Sequence, residues 1–129
     1  MSDTKLKILL MDDDRFLLDM YALKFKSGGH EIETVSSSVT ALEKLRNKEV
    51  FDVLILDIIM PGMSGIELLK TIRDEKLALG AAVIMLTNEM EEVQRAKDLQ
   101  ADGYIVKATA TPSEVVEQTG VIYENKHKK

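Results

Sequence analysis

Five short apolar runs punctuate the chain, and between them apolar residues recur every three or four positions. Lys7 to Met11 (KILLM), Val53 to Leu56 (VLIL) and Ala82 to Leu86 (AVIML) are nearly continuous. A strand covered on both faces reads this way, because neither side meets water. His30 to Ser36 (HEIETVS) alternates and carries charge, which predicts an edge strand. Gly103 to Lys107 (GYIVK) is the fifth. Helical stripes fill the gaps: Leu17, Leu18, Tyr21 and Phe25; Ala41, Leu42 and Leu45; Ile66, Leu69 and Ile72; Val93, Ala96 and Leu99; Val115, Val116 and Ile122. Ser64-x-x-Glu67 and Thr111-Pro112-Ser113-Glu114 read as capping boxes, the second with proline in its first turn. Gly120 weakens the last helix, which predicts a short one.

Strictly alternating strands and helices predict an α/β sandwich with right-handed crossovers. Ligands in such sheets bind outside the carboxyl ends of the strands. Asp12, Asp13 and Asp14 end the first strand, Asp57 the third, Thr87 the fourth and Lys107 the fifth. In "LILDIIMPGMSG" a wholly apolar run stops at Asp57 and breaks at Pro61-Gly62. A carboxylate there gains nothing from burial. Taken singly these residues say little: a lone Asp commonly caps a helix and an acidic triplet is usually solvated. The conjunction at one rim is far more specific. Two carboxylates about 4 Å apart repel by roughly 4 kcal/mol at an effective dielectric near 20. A hard divalent cation such as Mg²⁺, which prefers oxygen ligands, relieves that repulsion. A carboxylate beside such an ion can attack phosphorus, with a lysine and a hydroxyl to hold the phosphoryl oxygens.

Net charge and composition narrow the setting. The formal charge of −5 argues against nucleic acid as a direct partner. The basic end Lys126-His127-Lys128-Lys129 predicts a solvated tail, taken as residues 125–129 after a single domain over 5–124. The chain contains no cysteine, so disulfides and thiolate chemistry are excluded. No signal peptide and no apolar stretch of about 20 residues is visible, which predicts a cytoplasmic protein without membrane insertion. His30 and His127 are not spaced as a metal-binding pair.

From "ILLMDDD", "LILDIIMPGMSG", "VIMLTN" and "ADGYIVK", the sequence resembles the receiver domains of two-component response regulators over Lys5 to about Thr119, nearly its whole length. The resemblance implies a flavodoxin-like five-stranded parallel sheet of order 2-1-3-4-5 with five helices in a three-layer sandwich. It implies Asp57 as phosphoacceptor, with Asp12, Thr87 and Lys107 assisting. It implies Mg²⁺ held by Asp13, Asp57 and the Ile59 backbone carbonyl, and by Asp12 through water. Thr87 and Tyr104 would form the switch, and Ile59 and Glu89 would tune loss of the phosphate. A sensor histidine kinase or phosphotransfer protein would donate the group. No output domain follows the last helix in this sequence, so a stand-alone receiver is expected. It would signal to a downstream protein, or to a second copy, through the helix 4–strand 5–helix 5 face.

The sequence departs from the family's pattern at two places. Ala108 follows Lys107 where proline is common and its peptide bond often cis, so a trans bond or reshaped loop is expected. Asn88 follows Thr87 where alanine or glycine is common, which would narrow donor access. Two rival readings remain. "LLMDDD" also looks like the first motif of haloacid-dehalogenase-type phosphatases, with Asp12 as nucleophile and Asp14 as acid; phosphate-ester turnover without Asp57 would reveal it. A pseudo-receiver, a binding module that never takes a phosphate, is opposed by the intact set Asp12, Asp13, Asp57, Thr87 and Lys107.

Overall fold

A computed structural model describes residues 4–128. Five strands, β1 (Lys7–Met11), β2 (Glu31–Val35), β3 (Val53–Asp57), β4 (Ala82–Thr87) and β5 (Gly103–Val106), form one sheet of order β2-β1-β3-β4-β5. Every neighbouring pair is parallel. The helices are α1 (Arg15–Ser27), α2 (Ser38–Arg46), α3 (Gly65–Asp74), α4 (Val93–Asp98) and α5 (Pro112–His127). A 3₁₀ turn, Met90–Glu92, leads into α4. The fold is the α/β sandwich that the alternating pattern predicted, with the flavodoxin-like strand order that the resemblance implied. β2 lies at one edge, and only Val35 of it is buried, which explains its alternating charge.

Side-chain alternation divides the core between the two faces of the sheet. Leu9, Met11, Leu54, Leu56, Val83 and Met85 pack with Ala41, Leu42, Leu45, Leu69, Ile72 and Ala96 from α2, α3 and α4. Ile8, Leu10, Val53, Ile55, Ile84, Leu86 and Ile105 pack with Leu18, Tyr21, Phe25 and Val115 from α1 and α5. Each fully buried Val, Leu, Ile, Phe or Met contributes about 1.5–3 kcal/mol before entropy is counted, and an alanine less. That is how α4, with only Val93 and Ala96 buried, is held against the sheet.

At the amino ends of the strands, two aspartates accept from backbone N–H groups. Asp52 Oδ2 accepts from Lys7 N–H at 2.8 Å, and Asp102 Oδ2 accepts from Val83 N–H at 2.7 Å. Both bonds satisfy donors that lie where strand pairing begins. His30 is likewise structural: its Nδ1 accepts from Leu6 N–H at 3.0 Å, and burial lowers its affinity for a proton.

Both capping boxes form, at Ser64/Glu67 and at Thr111/Glu114. The last helix is not short, however. α5 runs 16 residues through His127, across Gly120. A glycine costs about 1 kcal/mol in a helix, and here packing outweighs it. Val115 and Thr119 are buried, Ile122 and Tyr123 lie against the core, and Lys126 Nζ reaches Asp102 at 3.2 Å. α5 thus takes in residues 125–127 of the stretch read as a tail, Lys128 is its C-cap, and Lys129 lies outside the described residues.

Candidate functional site

Alternation along the strands decides which side chains meet at the rim. Ile8 and Leu10 face the α1/α5 side of the sheet, and continuing by twos reaches Asp12. Val53 and Ile55 lead to Asp57 in the same way, and Ile105 leads to Lys107. Three charged groups from three strands thus arrive on one side. Val83 and Met85 face the other side and lead to Thr87, as does Tyr104, which pairs with Met85 in register.

The three groups touch. Lys107 Nζ donates to Asp57 Oδ2 at 3.0 Å and lies 2.9 Å from Asp12 Oδ2. The second contact is an ion pair without hydrogen-bond alignment, so Asp12 Oδ2 is fully buried and accepts no hydrogen bond. Asp12 Oδ1 accepts from Asp14 N–H at 2.9 Å, and Asp57 Oδ1 accepts from Ile59 N–H at 3.2 Å. Asp13 is exposed and contributes a third carboxylate; oxygens of Asp12, Asp13 and Asp57 all lie within 4.8 Å of one another. The members of the acidic triplet separate in role. Asp14 is the N-cap of α1, its carboxylate accepting from Phe16 and Leu17 N–H. That leaves it occupied with the helix rather than available as the acid of a phosphatase.

Burial pushes the Asp57 carboxyl up to about 6 from its ordinary 3.8; the bonds from Lys107 and Ile59 hold it back, while the charge of Asp12 adds to the rise. Burial works against the charged Lys107 as well, but its close contacts with Asp12 and Asp57 and their charges outweigh it and the ammonium is held above its usual range. Tyr21, inside α1, senses the same field: burial raises its hydroxyl, with Lys107 opposing and the acidic residues assisting. A three-carboxylate cluster with one cation is therefore electrostatically unrelieved. Carboxylate oxygens of Asp12, Asp13 and Asp57 gathered this closely, with the buried Asp12 Oδ2 facing only the Lys107 ammonium, fit a hard divalent ion. A pocket of about 260 Å³ opens over it, lined by Asp13, Asp57, Ile59, Asn88, Glu89 and Lys107.

The family model for the response regulator receiver domain matches residues 8–119. The chain belongs to that family. It is 34% identical over 108 residues to the phosphate regulon transcriptional regulatory protein PhoB of Rhizobium meliloti, covering 82% of this chain and 47% of that protein. The chain spans about half the length of the curated relatives it matches first. Among solved structures it resembles the chemotaxis response regulator CheY4 of Vibrio cholerae, with TM-score 0.83 and 31% identity over 92% of this chain and 99% of that one. A CheY-like receiver from Methanospirillum hungatei aligns with TM-score 0.85 and 28% identity, over 97% and 98% of the two chains. As a receiver domain, the chain is a signalling module of a two-component system.

The remaining residues that the sequence singled out sit around the receiver's pocket. Ile59 is 57% exposed at its mouth and Glu89 is half-buried beside it. Thr87 is fully buried, and its Oγ1 accepts from Glu89 N–H at 2.8 Å. Tyr104 points outward, with the Lys97 ammonium 5.7 Å from its ring centre. Every described peptide bond is trans, Lys107–Ala108 included. Sequence reasoning missed Gly65. A Cβ there would come within 2.2 Å of the Asp57 carbonyl oxygen and 2.8 Å of Ile58 Cα, so the first turn of α3 lies directly on the acceptor strand. The glycine after Ser64 in the motif was the available signal. Gly62 differs: its φ of +74° is what the Pro-Gly turn requires.

Proposed function

We propose that this receiver takes a phosphoryl group on Asp57 from a phosphohistidine of a sensor kinase or phosphotransfer protein in the cytoplasm. An Asp57 carboxylate oxygen attacks phosphorus, the phosphorus–nitrogen bond breaks, and the imidazole leaves with the electron pair. The observation that carries this reading is Lys107 Nζ bridging Asp57 and Asp12 beside an otherwise unrelieved carboxylate cluster. Asp13, Asp57 and the Ile59 carbonyl would hold Mg²⁺, with Asp12 acting through water. When bound, the ion neutralises charge on the oxygens of the transferring group. Lys107 then exchanges its Asp57 contact for a phosphoryl oxygen. Thr87 turns its hydroxyl to another such oxygen, and Tyr104 moves into the space this vacates. The change is a population shift toward a conformation with a different α4–β5–α5 face, which a downstream protein or a second copy reads. Ile59 and Glu89 set the rate at which water removes the group.

Intact mass after incubation with Mg²⁺ and acetyl phosphate tests the reading. Wild type gains one phosphoryl group, Asp57→Asn gains none, and wild type in EDTA gains none. Equal labelling of wild type and Asp57→Asn would defeat the assignment.

A further inference from the structure

The ends of β4 and β5 are joined by two bonds that involve none of the carboxylate cluster. Lys107 N–H donates to Thr87 O at 3.0 Å, the ordinary continuation of parallel pairing. One residue on, the strands have ended, yet Ala108 N–H still finds an acceptor, Asn88 Oδ1 at 2.7 Å. These two donors belong to the peptide units on either side of the Lys107 Cα. Pinning both units fixes the φ and ψ of Lys107, and with them the direction in which its side chain leaves the backbone. Four rotatable bonds further out, the ammonium must meet Asp57 and Asp12 together. A proline at position 108 would bring no N–H and need no such partner. Alanine brings one, and Asn88, exposed on the pocket wall, satisfies it.

We propose that Asn88 is a positioning residue for Lys107. Acting through Ala108 N–H, it holds the root of the lysine so that the ammonium is ready for a phosphoryl group. The proposal rests on Asp57 being the acceptor. It opposes the simpler view of Asn88 as a barrier to the donor, and the two differ in sign. Trimming a barrier speeds phosphorylation, whereas losing a positioning bond slows it.

The experiment uses the full chain as wild type, Asn88→Ala, Ala108→Pro and the double variant. With Mg²⁺ and acetyl phosphate, Asn88→Ala should lower the maximal labelling rate about three- to tenfold, the worth of one hydrogen bond. Its affinity for beryllofluoride should fall by a similar factor, while its KM for acetyl phosphate stays the same. In the Ala108→Pro background, which lacks the donor, Asn88→Ala should have little further effect. Two donor-free measurements accompany these: amide exchange at Ala108, expected to speed up in Asn88→Ala, and NMR order of the Lys107 side chain, expected to fall. Labelling as fast as or faster than wild type in Asn88→Ala would overturn the proposal, as would its full effect surviving in Ala108→Pro. A wild type that takes no phosphoryl group would remove the reading of Asp57 instead. The two donor-free measurements would then still decide the role of Asn88, and unchanged Lys107 order would overturn it.

Discussion

Asp57→Asn should make the protein more stable, not less, when divalent cations are absent. The folded carboxyl sits at about 6 against an ordinary 3.8. Between those values the folded state holds more proton than the unfolded chain, so stability falls as pH rises through the window. Two units correspond to a ceiling of about 3 kcal/mol. Asp57 lines a pocket open to solvent, and screening there reduces the effect to about 1–2 kcal/mol. The loss of the Lys107 contact is already contained in this figure, because the shift is the net of burial and that bond. Asparagine keeps the size of the side chain and carries no charge at any pH.

Urea unfolding followed by circular dichroism in EDTA, at pH 4, 6 and 7.5, measures the difference directly. At pH 7.5 the variant should lead by about 1–2 kcal/mol, and the gap should close toward pH 4, where Asp57 is protonated. Mg²⁺ should then reverse the trend. At a hundredfold excess over its dissociation constant a ligand of the folded state adds about 2.7 kcal/mol. Wild type should gain most of this and Asp57→Asn much less. A variant no more stable than wild type at pH 7.5 in EDTA, or a gap that does not change with pH, would refute the reasoning.

Ile59→Asn should lose its phosphoryl group severalfold faster, since a polar group replaces an apolar one at the pocket mouth and can orient the attacking water. Its Mg²⁺ affinity should barely change because the proposed ligand is the backbone carbonyl; an equal or slower decay of labelled protein would shift control of the water to Glu89 or Asn88. Thr87→Ala should still bind beryllofluoride yet leave Tyr104 outward in the bound structure, and an inward Tyr104 would disconnect the two. Gly65→Ala should destabilise by about 2–3 kcal/mol in urea, because the added methyl meets backbone rather than a movable side chain. A loss below about 0.5 kcal/mol would show that α3 can shift without cost to the acceptor strand.

Legibility from sequence followed the physics of each feature. β1, β3 and β4 were readable because strands covered on both faces leave no polar positions, and the match at Lys7–Met11 was to the residue. The rim residues were readable because a parallel sheet sends every carboxyl end the same way. Their division was there too, unexploited: counting by twos from Ile8, Val53 and Ile105 separates Asp12, Asp57 and Lys107 from Thr87 and Tyr104. The length of α5 was not readable, since a local glycine penalty is visible in sequence while the burial of Thr119 and the Lys126–Asp102 contact that help offset it are not. The bond between Asn88 and Ala108 belongs to the same class. It joins residues 20 apart whose approach is fixed by β4 and β5 lying side by side. Read singly, each looked like a loss, a blocked pocket and a missing proline. Together they are a donor and its acceptor, and the lysine between Thr87 O and Asn88 Oδ1 is held by both departures at once.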